Sequence, residues 1–165
     1  VRALREGRIP ELDADARRHT EVELHLPALI PDDYLGDVHT RLMLYKRIAS
    51  APDDEGLDRL TEEMVDRFGV LPPQTANLFQ VARLRLRAAA LGIRKLELGA
   101  LGGRVLFFPN PPVDALVVIR MVQKLPKVYA LDGPDKLKVR LELPGAAERL
   151  RTAGDILRVL GGQSG

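Results

Sequence analysis

Cysteine and tryptophan are both absent from this 165-residue sequence, and aromatic residues make up only 4% of it. Without cysteine the chain has no disulfide, no thiolate metal ligand and no cysteine nucleophile, which suits a reducing compartment. No apolar run approaches the ~20 residues that a helix needs to span a bilayer. The sequence therefore predicts a soluble, cytoplasmic protein that makes no membrane contact.

Motifs for catalysis are missing as well. The Gly-x-x-x-x-Gly-Lys-Ser/Thr pattern of phosphate-binding loops does not occur, and neither Ser50 nor Ser164 lies in a Gly-x-Ser-x-Gly turn. His19, His25 and His39 fall on different predicted elements, and none has a second ligand at the i+4 spacing of a zinc helix. We therefore expect no catalytic residue, no metal site and no cofactor.

What remains is the composition of an ordinary globular domain. Hydrophobic residues make up 45% of the chain and charged residues 29%, with a formal net charge of +2. This length is enough for one well-filled core. An excess of arginine raises the isoelectric point to about 9.1. That balance gives weak support for nucleic-acid binding, because aromatic rings to stack on bases are scarce.

A strand and an amphipathic helix are predicted near the start of the chain. Residues 21–26 alternate between polar and apolar side chains, which is the period of a half-buried strand. Asp37 is a suitable cap for the first helix, in which Val38, Leu42, Tyr45 and Ala49 share one face with Ile48 beside them. We expect that face to pack on the core.

Two further helices complete a predicted helical layer. The second starts after Asp53 or Asp54 and stops at Gly69, and the third runs from Pro72-Pro73 to Gly92. In the second helix the residues expected to be buried are Leu57, Leu60, Met64, Val65 and Phe68. The short loops between these helices indicate a compact arrangement.

The second half of the sequence predicts two β-hairpins and two more helices. The first hairpin, residues 93–108, is expected to turn at Gly102-Gly103, and the second, residues 127–143, around residues 132–135. A largely buried helix over residues 113–125 separates the hairpins, and a final helix covers residues 146–160. Helices precede strands without βαβ alternation, so the predicted class is α+β, with two helices packed on a mostly antiparallel sheet.

Two carboxylates on the second helix form a candidate binding site. Leu57, Leu60 and Met64 share one side of that helix, whereas Glu63 and Asp66 project from the other as neighbours three residues apart. Such a pair can contact arginines of a partner. Spacing alone favours a simpler interpretation, in which Glu63 pairs with Arg67 at i,i+4 on a solvated surface.

A basic stripe on the third helix is a second candidate surface. Gln80, Arg83 and Arg87 recur at helical spacing, and the last predicted strand adds Lys136, Lys138 and Arg140 on its polar face. These cations support an alternative function, a nucleic-acid-binding module. Ordinary solvated surface explains them equally well.

Several strings of residues resemble the C-terminal domain of the bacterial transcription-repair coupling factors, the Mfd family. In order and spacing they are TEVEL (residues 20–24), PDDY (31–34), DVHTRL (37–42), YKRIAS (45–50), VDRFG (65–69), LP (71–72), LGIRKL (91–96) and LDGP (131–134). The resemblance covers almost all of residues 20–143. Residues 2–12 also resemble the end of that family's translocase module.

The resemblance implies a domain organisation and a role. Residues 1–19 would be the end of the translocase module and a linker, residues 20–160 a C-terminal regulatory domain, and residues 161–165 a flexible tail. The full-length family protein is an ATP-dependent DNA translocase that removes stalled RNA polymerase and recruits UvrA through a module homologous to UvrB. Its C-terminal domain folds back on that UvrB-homology module, covers the UvrA-binding surface and restrains the motor.

The resemblance also assigns the candidate site. In the family, acidic residues of the helix before an Arg-Phe-Gly turn contact arginines of the UvrB-homology module, and the matching positions here are Glu63 and Asp66. The implied partner is thus intramolecular, with UvrA and RNA polymerase affected indirectly and DNA contacted only through the full-length protein. The motor motifs are absent from this chain, so we expect it not to be an enzyme.

Overall fold

Five helices and one five-stranded sheet form the part of the chain that the computed structural model describes, residues 19–162. In chain order the elements are β1 (Glu21–Glu23), α1 (Val38–Ser50), α2 (Asp54–Phe68), α3 (Pro73–Ala90), β2 (Ile93–Gly99), β3 (Gly102–Phe107), α4 (Ala115–Lys124), β4 (Tyr129–Leu131), β5 (Lys136–Val139) and α5 (Ala146–Leu160). The predictions for residues 1–18 and 163–165 lie outside the described residues.

The predicted α+β class is confirmed, and both hairpins belong to a single sheet. The strand order is β1-β2-β3-β5-β4, in which β1 runs parallel to β2 and every other pair is antiparallel. The hairpins join through β3 and β5, where Val105 lies opposite Leu137. Buried Val105, Leu137 and Val139 point to the face that α3, α4 and α5 cover. The opposite face carries Glu97, Arg104 and Lys138 in one row across three strands.

Local sequence signals start and stop the helices. The side chain of Asp37 accepts the backbone N–H of Thr40 at 2.9 Å, and that of Asp53 accepts the N–H of Gly56 at 2.8 Å. Each bond satisfies one of the donors that a helix N-terminus leaves without an intrahelical acceptor. Pro73 occupies the first turn of α3, where its missing N–H costs nothing.

Two groups of buried side chains form the core, and α3 contributes to both. The helical group joins α1, α2 and the N-terminal half of α3 through Leu44, Leu57 and Phe79. The sheet group joins the strands to α4, α5 and the C-terminal half of α3, which supplies Leu84 and Ala88. A continuous helix in both groups places the helical layer at a defined position on the sheet.

The predicted buried face of α1 is confirmed at Ile48, with Tyr45 half-buried, and is wrong at Val38, Leu42 and Ala49. Leu44 and Ile48 are buried, whereas Val38 is 57% exposed and Leu42 61% exposed. The helix carries apolar side chains of its own on several sides, so its periodicity is compatible with more than one buried face. The packing partners in the helical group select the side that carries Leu44 and Ile48.

Two other burial predictions are also corrected. Val65 of α2 is 39% exposed, because it lies at the border of the buried side. The helix α4 is not largely buried: Met121 is buried, but Leu116 is 55% and Ile119 41% exposed. The helix α4 contacts β4 and α5 at the margin of the sheet. The surface available there is too small to cover all of the apolar side chains of α4.

The turn of the first hairpin lies two residues earlier than predicted. The strands end at Gly99 and resume at Gly102, so the turn is Ala100-Leu101 and both glycines belong to β3. A side chain at Gly103 would overlap the carbonyl oxygen of Glu97, and one at Gly102, where φ is +109°, would overlap that of Val139. The glycines are therefore required by close backbone contact within the sheet.

Candidate docking surface

The exposed side of α2 is rigid because the opposite side is fully packed. Leu57, Leu60 and Met64 are at most 5% exposed, and they recur at the helical spacing that the sequence shows. Gly69 then ends the helix with φ at +96°, a conformation that favours glycine. Polar residues on the outer side are thus presented by a fixed backbone.

Aromatic contacts secure the C-terminal end of α2. The rings of Tyr34 and Phe68 meet edge to face, with centroids 6.0 Å apart. The Tyr34 hydroxyl donates to the carbonyl oxygen of Gly69 at 2.8 Å, which ties the loop before α1 to the end of α2. The guanidinium of Arg67 lies 4.8 Å from the centroid of the Phe68 ring, at a distance typical of cation–π contacts.

Glu63 is held by two arginines of the chain itself. Both terminal nitrogens of Arg47, on α1, donate to the two carboxylate oxygens of Glu63, each at 2.9 Å. Arg67 donates to one of the same oxygens at the longer distance of 3.3 Å. The hydrogen bonds from Arg47 are the main cause that lowers the pKa of Glu63 below its ordinary value. The charge of Arg47 and the hydrogen bond and charge of Arg67 lower it further, whereas partial burial opposes the shift. Glu63 is therefore an ionised and oriented group at neutral pH.

Asp66 has a different environment from Glu63. It lies one turn further along α2 and is exposed, and within residues 19–162 its carboxylate has no hydrogen bond or ion pair. The structure thus brings the two predicted site residues to one face, as their spacing predicts. The face as a whole is only weakly acidic, because Arg47 and Arg67 offset part of its negative charge.

Sequence reasoning missed Arg47, which is the main partner of Glu63. The predicted i,i+4 pair between Glu63 and Arg67 is present, but it is the longer of the two contacts. Arg47 lies 16 positions before Glu63 on another helix. No periodicity within one helix reports such a contact, since it depends on how α1 and α2 pack against each other.

The predicted basic stripe on α3 is divided between two neighbours. Arg83 is turned toward α2, where it donates to the carboxylate of Asp58 at 2.6 Å and lies 3.4 Å from that of Asp54. Arg87 lies instead beside α5. A continuous basic stripe is therefore not formed.

The cations of β5 are mostly paired with carboxylates. Lys136 and Lys138 lie 3.2 and 3.8 Å from the carboxylate of Asp132, and their proximity lowers the pKa of that group. Arg140, just beyond β5, is exposed. No cluster of potential metal ligands occurs among residues 19–162, and no helix there is long and apolar enough to cross a membrane.

Comparison with known proteins identifies the family. The profile of the TRCF domain matches residues 24–117, which is more than half of the chain and includes all of α2. The chain belongs to the TRCF domain family. Transcription-repair-coupling factors of Haemophilus influenzae and Escherichia coli are each 43% identical to this TRCF domain over 160 residues, or 97% of it. That of Myxococcus xanthus is 37% identical over 120 residues.

A solved structure has the same fold as this TRCF domain. The crystal structure of the C-terminal domain of a transcription-repair coupling factor superposes with a TM-score of 0.69, covering 90% of this chain and 99% of that one at 20% identity. The full-length relatives are much longer, because the matched region is 14% of the length of the Haemophilus and Escherichia proteins. The TRCF domain thus corresponds to about one seventh of the length of each of these relatives.

Proposed function

We propose that this TRCF domain is a regulatory, non-catalytic module of a cytoplasmic transcription-repair coupling factor. It docks on the UvrB-homology module of the same protein, masks the surface that UvrA binds and restrains the DNA translocase. The observation that carries the proposal is the outer side of α2, where Asp66, unpaired within residues 19–162, and an oriented Glu63 lie together on a packed helix. The names of the relatives support the coarser role in coupling transcription to repair.

The two carboxylates have different roles in the proposed contact. Asp66 has no partner within the described residues, so an arginine of the docked module can pair with it without breaking an existing bond. Glu63 accepts such an arginine by exchanging Arg67, whose exposed i,i+4 bond of 3.3 Å contributes only about 0.3–0.5 kcal/mol. The bidentate bond from Arg47 stays in place and fixes the carboxylate at the edge of α2 that faces α1.

A weak contact is sufficient because the partner is covalently attached. Exposed ion pairs contribute about 0.2–1 kcal/mol each, so two of them do not make a tight complex between separate molecules. With an effective concentration of ~1 mM, however, an intrinsic dissociation constant of ~10 μM keeps the module docked about 99% of the time. Polymerase binding then has only about 2.7 kcal/mol to overcome.

Calorimetric titration of the TRCF domain with the separately expressed UvrB-homology module tests the proposal. We expect a salt-sensitive complex that Asp66→Arg weakens by roughly 2- to 30-fold, because it removes one exposed ion pair and adds a repulsion of similar size, and that Glu63→Arg weakens less. Glu142→Arg is a matched control, since Glu142 is an exposed carboxylate after β5 that forms no ion pair within residues 19–162. Unchanged affinity in Asp66→Arg, or equal loss in the control, would show that α2 is not the docking surface.

Nucleic-acid binding remains the alternative function, and the charge arrangement favours it less. Arg83, Lys136 and Lys138 are each within ion-pair distance of carboxylates, which would compete with phosphates. Duplex-DNA binding measured by anisotropy at physiological salt, with a steep salt dependence, would support this alternative.

A further inference from the structure

A cleft between α3 and α5 lies apart from the outer side of α2. It has a volume of about 670 Å³, and its walls include Leu84, Arg87, Leu150, Arg151, Gly154 and Leu157. Leu84 and Leu157 are 5% and 3% exposed because they belong to the sheet group of the core, so of the three leucines it is the half-buried Leu150 that offers apolar surface to the cleft. The two arginines stand on opposite helices, Arg87 on α3 and Arg151 on α5.

The charge of this cleft is positive and uncompensated within residues 19–162. Neither Arg87 nor Arg151 has a hydrogen bond or an ion pair to any described residue, and both are exposed. The third arginine of the cleft, Arg158, is 2.8 Å from the carboxylate of Asp155, so these two charges offset each other. The cleft therefore differs from the open face of the sheet, whose Arg104 and Lys138 face carboxylates.

Gly154 provides the second observation. It lies in the interior of α5, where glycine is a poorer helix former than any residue except proline. The described residues give no steric reason for it, since an added Cβ would have no heavy atom within 4 Å. Gly154 lines the cleft one turn after Arg151 on α5, so the missing side chain leaves that part of the cleft open.

We propose that the α3–α5 cleft binds an acidic peptide segment of a partner protein, one that also carries apolar side chains. Carboxylates of the peptide would accept paired hydrogen bonds from Arg87 and Arg151, the geometry for which guanidinium groups are suited. An apolar side chain would occupy the space beside Gly154 and contact the half-buried Leu150. A nucleic acid fits less well, because no aromatic ring lines the cleft and the carboxylate of Asp155 does.

The site is separate from the docking surface of α2 and does not depend on it. The probe is a fluorescein-labelled glutamate–leucine peptide with leucines at helical spacing, titrated into the 165-residue chain and followed by anisotropy and by amide chemical shifts. A lysine–leucine peptide and a duplex DNA are the comparison ligands. We expect saturable binding of the acidic peptide alone, with the largest amide shifts around Arg87, Arg151 and Gly154.

Three variants and one control define the result. Reversing charge in Arg87→Glu or Arg151→Glu should weaken binding by at least about tenfold. Gly154→Gln should do the same by filling the space, with an unchanged or higher Tm because glutamine is the better helix former. Arg94→Glu, a reversal at an exposed arginine at the start of β2 and outside the cleft, should leave affinity unchanged.

Five outcomes would overturn the proposal. They are absence of saturable binding, equal loss in the Arg94 control, and full affinity in Gly154→Gln. The fourth is stronger binding of duplex DNA that the same two arginine reversals abolish, which would assign the cleft to nucleic acid. A concentration-dependent dimer that the arginine reversals dissociate would also replace the peptide by a second copy of this chain.

Discussion

The Arg47–Glu63 pair should make a measurable contribution to the free energy of unfolding. It joins α1 to α2 through two hydrogen bonds of 2.9 Å, with side chains that are 47% and 33% exposed. Solvent screens such a pair, but its bidentate geometry places it at the upper end for surface ion pairs, at about 0.5–1 kcal/mol. Arg67–Glu63, at 3.3 Å and within one helix, should contribute about 0.3–0.5 kcal/mol.

A double-mutant cycle separates this coupling from other effects of truncation. The variants are Arg47→Ala, Glu63→Ala and the double variant, compared with the unsubstituted chain by urea unfolding at pH 7 under circular dichroism. The coupling is the amount by which the double variant is less destabilised than the sum of the two single variants. The parallel cycle with Arg67→Ala is the internal comparison and should give the smaller coupling.

The same coupling should depend on pH in a defined direction. Hydrogen bonds and charge from Arg47 lower the pKa of Glu63 in the folded state. A carboxyl group with a lowered folded pKa contributes stability that is complete above its unfolded pKa and is lost as pH falls through the folded value. The coupling should therefore be constant around neutral pH and disappear in acid.

A coupling within error of zero at pH 7 would refute the structural role of the Arg47–Glu63 pair. So would a coupling that persists after Glu63 has been protonated. Either result would also remove the fixed orientation of Glu63 on which its role in the proposed docking contact rests.

Two further substitutions test the fold by urea unfolding. Arg149 donates to the carbonyl oxygens of His25, Leu143 and Pro144 at 2.9, 2.8 and 3.1 Å. Arg149→Lys should lower the free energy of unfolding by about 1–3 kcal/mol, because an ammonium group cannot reach all three oxygens. A loss below about 0.3 kcal/mol would contradict this role. Gly103→Ala should cost more than about 3 kcal/mol or prevent folding, since its methyl group overlaps the backbone of Glu97. A Gly103→Ala variant with normal stability would show that β2 and β3 do not approach each other as described.

Local interactions explain which features could be predicted from the sequence. The caps at Asp37 and Asp53, the first-turn Pro73 and the terminal Gly69 act within a few residues of the helix end that they define. The alternation of polar and apolar residues in β5 likewise predicts which side chains are exposed and which are buried, because successive side chains of a strand point to opposite faces. These elements form where their own residues favour them.

Features that depend on distant partners could not be predicted in the same way. The buried face of α1 is set by α2 and α3, and Leu44 and Ile48 are no more apolar than the exposed Leu42. The parallel pairing of Glu21 with Lys95 joins segments more than 70 positions apart, which a strand's own alternation does not encode. The sequence predicts a turn at Gly102-Gly103, since paired glycines are typical of turns. The close backbone contacts that require glycine at both positions exist only in the assembled sheet, so the sequence does not reveal them.

The candidate site combines both cases. Periodicity within α2 was sufficient to place Glu63 and Asp66 together on the side opposite Leu57, Leu60 and Met64. The difference between the two carboxylates was not predictable, since it comes from Arg47 on another helix. In the proposed docking contact, that difference gives the new ion pair to Asp66 and the supporting role to Glu63.

Competition with UvrA is the most direct test of docking through α2. Fluorescent UvrB-homology module is first bound to UvrA, and the TRCF domain is then added while the anisotropy and the complex size are followed. The unsubstituted chain should displace UvrA in a salt-sensitive manner, and Asp66→Arg should do so only at a higher concentration, while Glu142→Arg behaves as the unsubstituted chain does. A stable ternary complex of module, UvrA and TRCF domain would contradict the masking function.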